Sequence, residues 1–498
     1  MTEQVPVIIV GGGLTGLSAA LFLGQHGIKS LVVERHRSTA NHPKARGFNA
    51  RTMELFRNAG LERRVLAGGA DLKENRDIVL CETLAQVPFQ RVDKPRNDAA
   101  VSRVSPAQEC LCPQDVLEPI LLDAARELGA DIRFNSELLD FDQDAAGVTA
   151  TIDGQQVRAD YLIACDGARS PIRQQLGIGM SRGAETFFSV GISFIADLAD
   201  TVVDPYILAY VTHPGARGVM LPINNHDRWV FHLRFDPAAG ESVDDFTEEH
   251  CERLIRAATG RPNLDIRLTD VAEWETTCAL ADRYRAGRTF IAGDAAHIIP
   301  PAGALGANTG IQDAHNLAWK LAFVVKGLAG PALLDTYEAE RHPVGRLTVD
   351  QALLRWYSSE RPSADADFLD DVAIMFGVRY SSSAVHNLGS TTQSSRPEPD
   401  GTPGTRAPHV WLGDNMSTVD LFGPEFTLMH ESDQWVDAAT RIDTPINLCQ
   451  VHGFDDTALL VRPDGYVAWR GRAPALLPAV LSEVLGLPSE SRLSRFPA

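Results

Sequence analysis

No apolar run in this chain approaches the roughly 18 residues needed to span a bilayer, so nothing here reads as a membrane segment. Basic residues are in deficit: 46 Lys and Arg stand against 65 Asp and Glu, for a net charge of -19. Nucleic acids and anionic membranes both require basic patches, and neither is expected as a partner. Cysteine is sparse and unpaired. The seven, at positions 81, 110, 112, 165, 251, 278 and 449, are scattered and odd in number. Cys110 and Cys112 are the only close pair, and no second pair accompanies them to build a zinc site. All seven are expected to be reduced and structural, and no metal site is expected. No basic segment precedes Val5 to Val10, which is too short for a signal-peptide core, and this points to a cytoplasmic protein.

What remains is an ordinary globular composition, 44% hydrophobic and 22% charged, in 498 residues. That length suits about three domains. Val5 to Val10 reads as a buried parallel strand running into Gly11-Gly-Gly13-Leu14-Thr15-Gly16. This G-x-G-x-x-G opens a helix expected from Leu14 to His26, with Gly27 as its stop. The first glycine permits the tight turn, the second lets backbone approach a pyrophosphate, and the third lets helix and strand pack closely. A second strand, Ser30 to Glu34, ends on an acid 18 positions beyond Gly16, suited to the hydroxyls of an adenosine ribose. Glu34, followed by Arg35, favours an unphosphorylated ribose and therefore FAD or NAD rather than NADP. Arg46 follows, placed to neutralise the pyrophosphate or an incoming nucleotide.

Two further strand-to-helix edges lie downstream. Phe134 to Phe141, Val148 to Ile152 and Val157 to Ala159 read as a small meander. It leads into Tyr161-Leu-Ile-Ala-Cys-Asp166-Gly167, with Ser170 and Arg173 opening a helix. Later, Phe290 to Ala292 reads as a short strand stopping at Gly293-Asp294. Pro300-Pro301 and three glycines follow, then a periodic helix expected from about Ile311 to Val325. Asp294 would repel a phosphate, so it reads as an acceptor for hydroxyls such as a ribityl chain. Alternating segments at Ile78 to Val92, Phe187 to Asp197, Tyr206 to Val211 and Trp229 to Phe235 predict a second, antiparallel sheet.

The three fingerprints, with Tyr337-Glu-Ala-Glu-Arg341-His-Pro343, resemble the single-component FAD-dependent aromatic hydroxylases of the p-hydroxybenzoate hydroxylase class. The tail is similar to the thioredoxin-like C-terminal domain of the polyketide hydroxylase subgroup, although it has no C-x-x-C. The resemblance implies an α/β architecture. A Rossmann-like FAD domain (residues 1–75, 100–180 and 280–345) interleaves with a sheet domain for substrate (76–99 and 181–279). A helical segment and linker (346–395) and the thioredoxin-like domain (396–498), with a hairpin turning on Asp464-Gly465, complete it.

The resemblance also implies chemistry. NADPH or NADH reduces FAD, molecular oxygen adds as a flavin hydroperoxide, and one oxygen passes to an electron-rich ring. The implied cofactor residues are Gly11, Gly13, Leu14, Thr15, Gly16, Glu34, Arg35, Arg46, Gln114, Leu138, Asp166, Gly293, Asp294, Pro301, Gly306, Ala307 and Asn308. Pro301 forms the wall between flavin and substrate, and Arg46 is the second residue assigned to catalysis. His297 is expected to pack rather than transfer protons. Phe188, Tyr206, Trp229 and Phe231 are the candidate lining of an aromatic substrate pocket, with core packing as the alternative. The expected partner is a small aromatic molecule, and the chain is read as a monomer or homodimer. Hydroxylation of a polycyclic phenol leads; Baeyer-Villiger insertion, oxidative antibiotic inactivation and simple sequestration of a flavin or drug are the alternatives.

Overall fold

The computed structural model describes residues 3–86, 88–93, 98–183, 186–360, 368–386, 399–451, 453 and 456–487. Part of the expected Ser- and Pro-rich linker lies outside these. Among the described residues no helix is long and apolar enough to cross a membrane.

The first sheet runs in the order Arg285–Ala286, Thr289–Ile291, Gln155–Ala164, Glu3–Val10, Ser30–Glu34, Asp131–Phe134. From Thr289–Ile291 to Asp131–Phe134 every neighbouring pair is parallel. Val7, Ile8, Ile9, Leu31, Val32 and Val33 are buried, as continuous apolar strands covered on both faces must be. The helix Leu14–Gln25 packs against both Gln114–Glu127 and Leu305–Val325. The C-terminal strand ends carry all three fingerprints side by side: Gly11 after Val10, Asp166 after Ala164, Gly293 after Ile291. That is the edge where open parallel sheets take ligands.

Three elements differ from expectation. Phe134 to Phe141 splits into Asp131–Phe134 and Leu138–Gln143, because Asn135 adopts φ +52° and turns the chain. Asp77–Cys81 pairs antiparallel with Gln90–Asp93 but parallel with Tyr206–Val211. The helix after Pro300-Pro301 starts at Leu305, six residues before the expected Ile311. Gly306 and Gly310 are weak helix formers, yet Gly310 is required: a Cβ there would lie 2.5 Å from Thr15 Oγ1.

The second sheet has seven strands in the order Arg267–Thr276, Phe187–Ile195, Arg228–Phe235, Gly218–Pro222, Tyr206–Val211, Asp77–Cys81, Gln90–Asp93. The helix Glu248–Thr259 covers one face, and Cys251, Ile255 and Ala258 pack there with Val190, Ile192, Phe194 and Met220.

The third unit is a four-stranded sheet, Ile446–Gln450, Phe426–His430, Ala458–Val461, Val467–Gly471. A parallel β-α-β, then a hairpin, then the helix Leu477–Val484 is a thioredoxin-like order. It is built onto the nucleotide domain. Trp319 and Phe323 of the helix Leu305–Val325 share one core with Phe426, Trp435 and Trp469. All seven cysteines are free thiols, six of them buried.

Candidate active site

The glycine loop separates its three glycines by what a side chain would meet. A Cβ on Gly11, whose φ is +104°, would lie 2.2 Å from the Cys165 carbonyl oxygen. On Gly16 it would lie 1.9 Å from the Gly11 carbonyl oxygen. Both positions are closed by the protein's own backbone. Gly13 differs: its nearest neighbour would be Glu118 Oε1 at 3.7 Å, an ordinary contact. Beside the loop, Glu34 accepts the Gly12 amide at 2.6 Å and the His36 amide at 2.8 Å. Leu14 is buried, and Arg35 is exposed. Leu138 follows Asn135 and Ser136, whose amides bond to the carbonyls of His36 and Glu34.

Gln114 opens its helix as expected and clamps the segment leading to Arg46. Its Oε1 accepts the Ala45 amide at 3.0 Å, and its Nε2 donates to Glu118 at 2.7 Å. Glu118 is buried and also accepts the Ala40 amide. Burial pushes its carboxyl above the usual range. Nothing in the sequence marks it, because an acid on an amphipathic helix ordinarily faces water. Asp166 accepts the Ile172 amide at 3.2 Å at the start of the helix Pro171–Gln175, and its Oδ1 is buried without a partner among the described residues.

Thr15 joins the two halves of the edge. Its side chain occupies the space left by Gly293 and Gly310, at 2.4 and 2.5 Å from the Cβ each lacks. Next to it the Asp294 side chain is open to solvent, while surrounding protein desolvates it and raises its pKa. A carboxyl at the bottom of a cleft has that combination of properties. Pro301, Gly303 and Ala304 are also exposed. Ala304, at φ +55°, starts the helix Leu305–Val325 with no side-chain cap and no acid in the first turn. Gly306 and Ala307 lie in that turn, and Asn308 ties it to Gly47 and Asn49 through hydrogen bonds of 3.0 Å.

Arg46 has a different placement from the one expected. Its guanidinium donates to the carbonyls of Pro222 (2.6 Å) and Ile207 (2.5 Å), committing two donors to the second sheet rather than to a phosphate. Burial lowers its pKa to about 10.

The substrate candidates also require correction. Trp229 and Phe231 alternate with Val230 and His232, and both lie in the core beneath the helix Glu248–Thr259. Tyr206 belongs to the same cluster, and Phe188 packs on Phe235 next to Phe246. Strand side chains alternate faces, so the opposite parity points toward the nucleotide domain: Phe187, Gly191, Ser193, Tyr210 and His232. Trp274 joins this face, its ring 5.3 Å from that of His232. Trp356, from the helix Asp335–Glu360, meets Phe187 at 5.9 Å. A surface cavity of about 530 Å³, lined in part by Thr83, Gln86, Arg253 and Arg256, holds none of the expected site residues.

Comparison with known proteins agrees with this geometry. The FAD binding domain family model matches residues 4–352, and the aromatic-ring hydroxylase C-terminal model matches 400–488. Tetracenomycin A2 monooxygenase-dioxygenase of Streptomyces glaucescens is 41% identical, with 99% of each chain covered. A 4-methyl-5-nitrocatechol 5-monooxygenase of a Burkholderia species is 40% identical, with 97% of each chain covered. The crystal structure of aklavinone-11 hydroxylase with FAD and aklavinone superposes with a TM-score of 0.87 at 36% identity, covering 97% of this chain and all of that one. The chain belongs to the FAD-dependent aromatic-ring hydroxylases.

In this hydroxylase His297 sits in a buried network. Asp313, fully buried, accepts from His297 Nε2 (2.6 Å), Arg341 Nε (2.7 Å) and the Gly293 amide (3.2 Å). Arg341 also donates to Tyr380 and to the Thr309 carbonyl. Asp313 therefore holds the acid turn from behind. It too escaped the sequence reading, since a lone acid inside a helix carries no spacing signal.

Proposed function

We propose that this monooxygenase uses NADPH or NADH to hydroxylate an aromatic polyketide or related polycyclic phenol. The observation that carries the reading is the convergence of Gly13, Thr15, Asp294 and the uncapped start of the helix Leu305–Val325 on one edge of the sheet. These residues fit FAD. Gly13 admits the pyrophosphate, and Glu34 takes the adenosine ribose in place of the Gly12 and His36 amides. Asp294 accepts from the ribityl hydroxyls. The amides of Gly306, Ala307 and Asn308, at a positive helix end, favour an anionic reduced ring by about 0.3–1 kcal/mol. Bound FAD, once reduced, supplies the activation of dioxygen. The protein's tasks are to hold the ring, exclude water and place the substrate. Relatives that act on tetracenomycin and aklavinone support a polycyclic substrate, whereas the nitrocatechol relative supports a single ring.

NADPH and NADH oxidation should rise on adding hydroxylated anthraquinones or naphthacenes and yield a product heavier by one oxygen atom. Stimulation by nitrocatechols alone would favour the single-ring reading. Binding without flavin reduction would reduce the protein to a sequestering role, and product NMR separates ring hydroxylation from Baeyer-Villiger insertion.

The glycine loop offers a direct check on the cofactor assignment. Gly16→Ala should prevent folding, because its Cβ would lie 1.9 Å from a backbone oxygen. Gly13→Ala meets only ordinary contact and should leave the apo-protein's melting temperature unchanged. It should nonetheless weaken FAD binding at least tenfold, about 1.4 kcal/mol, as measured by flavin fluorescence.

A further inference from the structure

The residues behind the acid turn are themselves held from outside the nucleotide domain. Arg341 is buried and commits donors to three different elements. Its Nε donates to Asp313 (2.7 Å), its Nη2 to the Thr309 carbonyl (3.2 Å) and its Nη1 to the Tyr380 hydroxyl (3.0 Å). A guanidinium is planar and rigid, so three such bonds fix its orientation. Of these three partners, Tyr380 alone lies outside residues 4–352, the span of the FAD binding domain match.

Tyr380 is anchored in turn by the C-terminal unit. Its amide donates to the Gly404 carbonyl at 2.7 Å. Its ring stacks on that of Tyr466, with centroids 4.0 Å apart and planes at 23°. Tyr466 lies in the hairpin between Ala458–Val461 and Val467–Gly471. From the same hairpin Arg462 reaches over both rings and binds Glu340 through both terminal nitrogens. Glu340 and Arg341 are adjacent on the helix Asp335–Glu360. Glu340 meets the C-terminal hairpin, and Arg341 meets the carboxylate behind the acid turn.

We propose that Tyr380 is a positioning residue for FAD, through which the C-terminal unit sets the Gly293-Asp294 turn. The route is short. Tyr380 holds Arg341, and Arg341 holds Asp313 Oδ1. Asp313 Oδ2 accepts the Gly293 amide (3.2 Å) and His297 Nε2 (2.6 Å). Asp294, the next residue after Gly293, is thereby aimed at the cofactor. A thioredoxin-like unit without a C-x-x-C has in this way a part in the reaction that needs no thiol.

Two properties suit this network to carry position as well as stability. Tyr466, Tyr380, Arg341, Asp313 and His297 are all buried, so water is not at hand to replace a lost bond. Both oxygens of Asp313 are also engaged, one by Arg341 and the other by the turn. A shift of the guanidinium therefore turns the carboxylate to which the Gly293 amide is bonded.

The proposal rests on the reading of Asp294 as an FAD contact. Its test is the FAD affinity of the folded, full-length protein, measured by flavin fluorescence well below the melting temperature. Tyr380→Phe keeps the ring stack and removes the acceptor of Arg341 Nη1. A buried donor left unpaired lowers the melting temperature whatever its role. A purely structural role ends there, with affinity unchanged. Positioning weakens FAD binding as well, by about 3- to 30-fold, the scale of mutations along a coupled network. In the Asp294→Ala background the same substitution should weaken binding by less than about twofold, because the side chain it positions is gone. A smaller loss in Tyr380→Phe, or a loss of the same size in both backgrounds, overturns this proposal alone. Full FAD affinity in Asp294→Ala overturns the ribityl assignment and this proposal with it.

Discussion

Glu340→Ala is expected to destabilise the folded chain by about 3–5 kcal/mol, the effect of removing one partner from a buried ionic group. Glu340 is 2% exposed. It accepts from Lys320 (2.7 Å), from both terminal nitrogens of Arg462 (2.6 and 2.8 Å), from Asn316 (2.8 Å) and from Ser382 (2.6 Å). Without it Lys320 keeps, among the described residues, only Asn316 Oδ1 as a hydrogen-bond acceptor, and Arg462 keeps Asp464. The denaturant midpoint should fall with little change in slope. A loss under about 1 kcal/mol, the scale of exposed pairs, would show that water reaches the cluster.

The two partners of this pair pull in opposite senses. Burial opposes ionisation of Glu340, but Arg462 and Lys320 outweigh it and hold the carboxyl far below its usual range. Lys320 shares that carboxylate with Arg462, so burial wins and lowers its pKa to about 8. The arrangement we stand behind at neutral pH is the fully charged one, because a bidentate Arg462 fixes Glu340 as an anion. For a carboxyl depressed on folding, the stabilisation is present above the unfolded value of 4.5 and fades as pH falls below it. For a lysine depressed on folding, the penalty is present below about 8 and is relieved as pH rises toward 10.5. Acid should therefore unfold the wild type more steeply than Glu340→Ala.

Asp294→Ala is expected to weaken FAD binding by about 10- to 150-fold while the fold persists, the loss of charged hydrogen bonds worth about 1.5–3 kcal/mol. The side chain is exposed and makes no contribution to the buried core, so its removal should leave the fold intact. Asp294→Asn retains an acceptor and should fall between the two. Burial raises the Asp294 pKa, with His297 and Lys44 opposing. FAD affinity should therefore decline on acidification at a higher pH than an ordinary aspartate would impose. Apo- and holo-protein can be separated by gel filtration and the flavin counted by absorbance. Full occupancy in Asp294→Ala would contradict the ribityl assignment.

Some of this site is written in short segments. The strand Glu3–Val10, the three glycines and Glu34 lie within 34 residues, and each has a local reason for its residue type. The same holds for Gly293-Asp294 and for Asp166-Gly167. Spacing alone thus brought the nucleotide edge into view. The substrate side failed for an identifiable reason. Aromatic character makes Phe188, Trp229 and Phe231 candidates for a pocket lining, but strand parity assigns them to the face under the helix Glu248–Thr259. The smaller and polar residues between them, Gly191, Ser193 and His232, face the other way. Sequence alone does not say which parity the helix Glu248–Thr259 covers, because that helix follows the strand Arg228–Phe235 and packs back on the sheet only in the folded chain.

Pairings across long sequence separation had no signal at all. Asp270 meets His42 from 228 positions away, and Arg51 donates to the Asp464 carbonyl from 413 away. The hairpin at Asp464-Gly465 is legible as a turn, yet it is buried against the nucleotide domain by Arg51 and Asn316, while its own Arg462 reaches across to Glu340. Local order, strand, glycine turn, acid and helix start, was determined by the sequence, because those choices depend on neighbours within a few residues. Which way Arg46 points, which imidazole finds a carboxylate, and which face of the second sheet is covered by the helix Glu248–Thr259 were decided only by tertiary packing. Each of those depends on which distant groups burial brings within hydrogen-bonding reach.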